Sequence, residues 1–223
     1  MSGRKSRGLL EFGKVQPGHG LSAPSKHALA LAGWPLVEVT PPVVEVLEAA
    51  ELVVVVSRSR DVEREVHLDR CRRDGVSVVP RPSGGGAVVL APGVVVASAL
   101  HEASVSLFPE PYFARFCAAV AAALERCGAH GVVRRGISDL CLGDRKIAGT
   151  SLRLWRSRVL FQVAVLVDVD VALLERYLAE PSRAPGYRAG RSHRDFVTTL
   201  REAGFPATCG EVAAALRGEM SQP

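Results

Sequence analysis

A chain of 223 residues, 48% of them hydrophobic, is long enough for one sizeable core, and no uninterrupted apolar run reaches the roughly 18 residues of a membrane-spanning helix. The formal charge of +5 and pI near 9.2 favour an acidic partner without choosing among nucleotide, nucleic acid and protein surface. Five cysteines (Cys71, Cys117, Cys127, Cys141, Cys209), odd in number and without a CxxC pair, argue against a complete disulfide framework and point to reduced thiols in the cytoplasm.

The basic opening MSGRKSRGLLEFGKVQPGHG has no signal-like apolar core, so residues 1–24 are expected to be a flexible segment ahead of a single domain spanning 25–223. Residues 52–58, LVVVVSR, are a β-branched strand, and RDVEREVHLDRCRRDG reads as a helix ending near Gly75. VSVVP is a second strand. After three glycines, AVVLAPGVVVASAL is broken by Pro92 and Gly93 into two apolar runs, as in a hairpin or bent strand pair.

From Pro111, the spacing of Phe113, Phe116, Cys117, Val120, Leu124 and Cys127 predicts a core-facing helix stopped by Gly128. The β-rich block that follows places a tight hairpin at Gly143-Asp144 and a second between Trp155 and Arg158, with valines and Phe161 alternating from Val159 to Val167. Three helices should close the chain, opened by Asp170, by Ser192 with Asp195 three residues on, and by Thr208 with Glu211 as a capping box.

Two segments carry candidate chemistry. In RPSGGGAVV, residues 81–89, neither a Walker ending nor a dinucleotide fingerprint is present. What remains is a glycine-rich turn beside Arg81, either a tight bend or a place where a ligand approaches bare backbone. In SDLCLGDRKIAGTS, residues 138–151, Lys146 follows a hairpin turn beside Ala148 and Gly149. There an ammonium can meet a carboxylate or phosphate as a point charge, or sit solvated on the hairpin. Asp139 is either a turn former or a polar or metal ligand. The few aromatics are not interleaved with basic residues, so a nucleic-acid partner is not expected.

Together these segments resemble the Arg-x-Ser-Gly-Gly-Gly-Ala-Val signature and the Asp-Leu...Gly-x-Lys-Ile-(Ser/Ala)-Gly segment of the lipoate-protein ligase and octanoyltransferase family. The similarity runs on through ALLERYLAEPSRAPGYRAGRSHRDFVTTL, covering roughly residues 50–200. The resemblance implies an α+β fold: a mixed, largely antiparallel sheet flanked by helices, of the biotin/lipoate ligase catalytic-domain type and related to class II aminoacyl-tRNA synthetases. It implies activation of lipoate or octanoate with ATP and magnesium to an acyl-adenylate. The acyl group would then pass to a lysine on lipoyl domains of 2-oxoacid dehydrogenase complexes or on the glycine cleavage H protein. An accessory ligase subunit is a further implied partner, since no accessory domain follows the matched region.

By match to the family motif, Lys146 stabilises charge at the α-phosphate. Gly84, Gly85, Gly86, Ala87 and Gly149 line the pocket, Arg81 and Ser83 frame its entrance, and Asp139 lies near the nucleotide or magnesium. The octanoyltransferase branches hold the acyl group on a cysteine. VVRRGI, where that cysteine is expected, has none, and Cys141 is the nearest thiol. Two departures stand out. The family's His-Gly-(Thr/Ser/Ala) is here Gln162-Val163-Ala164, with Val163 expected to crowd the pocket, and the Leu-x-x-Asp-Glu-Ala that usually precedes the first matched strand is missing. They leave open a non-catalytic protein that binds an acyl group or carrier. His193 and Arg191, in GRSHRDF, read as surface or capping residues.

Overall fold

The computed structural model describes residues 21–221 apart from 104, 105, 107, 156, 182 and 183. The strands are β1 (Val43–Glu48), β2 (Val53–Ser57), β3 (Ser77–Arg81), β4 (Ala87–Leu90), β5 (Val94–Glu102), β6 (Val132–Arg135), β7 (Asp139–Leu142), β8 (Arg145–Trp155) and β9 (Arg158–Leu166). The α-helices are α1 (Lys26–Leu31), α2 (Val62–Glu65), α3 (Leu68–Arg73), α4 (Glu110–Arg126), α5 (Ala172–Tyr177), α6 (His193–Phe196) and α7 (Cys209–Met220).

The sheet structure is mixed and largely antiparallel, and it divides in two. Six antiparallel strands run in the order β1-β5-β9-β8-β7-β6, and three in the order β3-β2-β4 with β2 parallel to β3. Every residue of β2 is buried, which is why LVVVVSR is a continuous apolar run with no alternation. In the six-stranded sheet the period of two sorts β9 cleanly. Phe161, Val163 and Val165 pack toward α4 and α7, whereas Ala164 and Leu166 join the core shared with the three-stranded sheet. On the helical side, Phe116 of α4 stacks on Phe161 at 4.8 Å between centroids.

Several expectations change form. AVVLAPGVVVASAL is not a hairpin: β4 pairs with β2 in one sheet and β5 with β1 and β9 in the other. The crossing is made at Gly93, with φ +94°, where a Cβ would lie 2.4 Å from the Asp168 carbonyl oxygen. The helix expected between Arg60 and Gly75 is two short ones. At the break Val66 bridges Leu178, His67 N–H donates to the Tyr177 carbonyl and Ala179 N–H to that of Glu65, so the chain exchanges helical bonds for long-range ones.

Residues 1–20 of the expected flexible segment lie outside the described residues, but Leu21 packs on the inter-sheet core and the Ala23 carbonyl accepts from Ser77. The hairpins at Gly143-Asp144 and between Trp155 and Arg158 form with matching registers. Ser192 and Thr208 cap α6 and α7, the latter in a full capping box. Asp170 stands one residue before the Val171 cap of α5 and accepts from Ala172 N–H. No helix among the described residues is long and apolar enough to cross a membrane.

Candidate active site

Between the two sheets lies a cleft of about 950 Å³. Its lining combines the apolar side chains of Val55, Val88, Leu90, Val96, Ala164 and Leu166 with the polar ones of Arg81, Asp139, Lys146, Arg188 and His193. Gly84, Gly85, Gly86, Ala87 and Gly149 form parts of its wall. An amphipathic cleft of this kind suits a ligand with an apolar tail and an anionic head.

The glycine wall is built by its neighbours. Gly84 N–H donates to the Leu152 carbonyl, tying the loop to β8. Gly85 has φ +98° and a Cβ there would meet the Arg81 guanidinium at 2.8 Å, while one on Gly86 would stand 3.2 Å from Glu65 Oε2. Gly85 is therefore required by backbone conformation and close approach, and a side chain at Gly86 would need the Glu65 carboxylate to give way. Arg81 turns inward instead of framing the entrance. Buried, it donates twice to the Gly84 carbonyl, at 3.2 and 2.7 Å, and once to that of Val55, so it clamps the loop from beneath. Burial pulls its guanidinium down to about 10, opposed by nearby Glu65, and it stays charged at neutral pH.

Ser83 is also behind the wall, fully buried in a polar network. Its hydroxyl donates to Gln162 Oε1 at 2.6 Å and accepts from Ser151, while Gln162 Nε2 donates to Ser98 Oγ at 3.1 Å. Gln162 faces Gly33, where a Cβ would come within 2.5 Å of its amide nitrogen. The departure from the family motif at Gln162 is thus satisfied on all sides. Val163, expected to crowd the pocket, is among the residues lining the cleft and also belongs to the core cluster against α4 and α7.

Also lining the cleft, Lys146 Nζ meets Asp139 Oδ1 at 2.5 Å. The lysine side chain lies across Gly149, whose missing Cβ would stand 3.1 Å from Nζ. A β-bulge between Leu140 and Cys141 sets the register that brings Asp139 opposite Gly149 and Lys146 opposite Cys141. The other oxygen of Asp139 accepts from the Tyr187 hydroxyl at 2.7 Å. Asp139, expected to lie near magnesium, is thus engaged as an ion-pair partner, and among the described residues no three His, Cys, Asp or Glu side chains gather as metal ligands. The described residues do not by themselves make a magnesium site.

The sequence motifs left Tyr187, Glu65 and Arg188 unremarked. All three line the cleft, but no periodicity marks them, because Tyr187 and Arg188 sit in a single 3-10 turn, Gly186–Arg188, and Glu65 ends a one-turn helix. His193, expected at the surface, also lines the cleft, and burial, with Arg188 nearby, holds its imidazole below the usual range. All five thiols are pushed above the ordinary cysteine range, chiefly by burial. Cys141 in particular is buried against the Tyr187 hydroxyl at 3.6 Å, a setting opposite to that of a nucleophilic thiolate.

The chain is 29% identical over 150 residues to lipoate-protein ligase 2 of Staphylococcus aureus, a match that covers 67% of this chain and 44% of that protein. It spans less than half the length of the curated relatives it matches. In three dimensions it superimposes on a chain of a bipartite lipoate protein ligase studied with its E2 lipoyl domain, from Thermoplasma acidophilum, with a TM-score of 0.75 and 23% identity over 90% of this chain and 80% of that one. A lipoate-protein ligase A bound with ATP gives a TM-score of 0.72 and 21% identity over 90% and 83%. These two likenesses show the fold. The model of the lipoyl protein ligase A/B catalytic domain matches residues 27–221, nearly the whole chain, and the chain belongs to that family.

Proposed function

We propose that this chain activates lipoate, or a medium-chain acid such as octanoate, with ATP and transfers the acyl group to a lysine of a lipoyl carrier domain. The observation that carries the reading is Lys146, paired with Asp139 and lining the same amphipathic cleft as the glycine loop. In activation, a carboxylate oxygen of the acid attacks the α-phosphorus of ATP and the bond to pyrophosphate breaks. A fixed ammonium at that phosphate is worth most in the transition state, where charge accumulates. In transfer, the carrier amine attacks the acyl carbonyl, AMP leaves with the bonding electrons, and the amine gives up a proton.

Family membership supports this reading, as do the names of the relatives and the ATP in a structural neighbour. The raised thiols speak against a cysteine-borne acyl intermediate. A second subunit completing the enzyme is part of the proposal, supported by the bipartite naming of the T. acidophilum neighbour.

The test is the mass of a lipoyl domain incubated with this protein, ATP, magnesium and lipoate or octanoate, with preformed lipoyl-adenylate in a parallel arm. The expected result is one acyl increment on the carrier, lost in Lys146→Ala. No increment in any arm overturns the proposal. An increment from an acyl carrier protein donor without ATP would replace it with direct transfer.

A further inference from the structure

The segment from Pro185 to Thr198 is bolted onto the lysine hairpin at four points. Arg191 donates to both the carboxylate and the carbonyl of Asp144 in the hairpin turn, at 2.9 and 3.1 Å. Arg145 donates to the Val197 carbonyl at 2.6 Å, and Thr198 N–H to the Lys146 carbonyl at 2.9 Å. The fourth point is the Tyr187 hydroxyl on Asp139. The first three hold backbone and turn, whereas the fourth acts on the carboxylate that Lys146 itself uses.

Tyr187 is held firmly for such a task. The Arg135 guanidinium lies 4.6 Å from its ring centroid and Phe196 packs against the ring at 5.3 Å. Burial and the bond to Asp139 keep the phenol well above its ordinary range, so it remains a donor at any physiological pH. Asp139 Oδ2 accepts from Tyr187 and Oδ1 from Lys146, one oxygen each. A donor on the second oxygen draws charge away from the first and blocks a two-oxygen grip on the ammonium.

We propose that Tyr187 is a positioning residue: by occupying one oxygen of Asp139 it leaves Lys146 held through the other alone, presented to the cleft and able to move onto an incoming phosphate. The inference rests on the ligase reading only for the role given to Lys146. Without the hydroxyl, Asp139 holds the ammonium more tightly. Tyr187→Phe keeps the ring contacts and removes the bond to Asp139, together with the weaker 3.6 Å contact to Cys141 Sγ.

Lys146 accessibility tests this without any substrate, by amine-reactive acylation of the whole protein and peptide mass analysis, with Lys26 as internal reference. In Tyr187→Phe, labelling of Lys146 is expected to slow about three- to tenfold, the range spanned by the net worth of one hydrogen bond. Lys26 is expected to be unchanged. In an Asp139→Asn background, Tyr187→Phe is expected to have no further effect. A purely structural role predicts the opposite sign, since loosening the strap would speed labelling, so unchanged or faster labelling overturns the proposal. In the ATP assay the same variant is expected to lower kcat at constant KM for the acid. A wild-type protein inactive in that assay would fail the ligase reading while leaving the labelling result to decide the role of Tyr187.

Discussion

Gly149 shows how much one absent side chain arranges. It pairs with Asp139 in the β7-β8 ladder, and its bare Cα lets Lys146 fold across the strand to reach that carboxylate. Gly149→Ala would push the ammonium aside by a few tenths of an ångström, since the atom it meets is the far end of a flexible chain. Activity is expected to fall on the order of tenfold, because small misplacements of a charge-stabilising group are costly, with the urea midpoint nearly unchanged. An equal loss in Lys146→Ala and in the Gly149→Ala, Lys146→Ala double variant, measured as acid-dependent pyrophosphate exchange, checks that the alanine acts through the lysine. Motif spacing identified Lys146 and Gly149 together. It could not identify Tyr187, because that residue is 48 positions from Asp139 and shares no secondary structure with it.

At the scale of elements, local signals were legible and long-range ones were not. The Thr208–Glu211 box is an i to i+3 pattern, written entirely within one turn, and it forms with all its bonds. α7 packs on β1, β5 and α4, so the cap matters to the whole helical layer. Thr208→Ala is expected to lower stability by about 1 kcal/mol in urea unfolding, with Thr208→Ser close to wild type. The break between α2 and α3 was invisible because the partners of Val66 and His67 are Leu178 and Tyr177, more than a hundred residues away. The same holds for β4 and β5, whose apolar runs are alike although they belong to different sheets.

For the molecule as a whole, the cleft lies where the two sheets face each other, and one of the chain's crossings between them is made at Gly93, whose φ of +94° and contact with Asp168 leave no room for a side chain. His101 is buried beside Phe116, and its Nε2 has no hydrogen-bond partner among the described residues. Burial, with Arg115 adding to it, holds its imidazole below 6.5, and His193 is depressed likewise. The unfolded chain therefore takes up protons near 6.5 while the folded one does not until lower pH. Stability is full above that value and falls as pH drops from about 6.5 toward the depressed folded values. Urea midpoints at about pH 7.5 and about pH 5.5 are expected to show this loss, and His101→Phe to diminish it. An unaltered difference in that variant would refute the assignment to His101.

By itself, the sequence determined the family and most element types and singled out the two candidate motifs with Lys146, because glycine spacing, capping patterns and strand alternation act within a few residues. Only the tertiary structure decided that Arg81 clamps the glycine loop from below, that Val163 joins the core against α4 and α7, and that Tyr187 reaches Asp139. Each of these depends on which face of a strand or loop meets which neighbour. That is settled by burial and hydrogen-bond satisfaction summed over the whole fold, not by any local window.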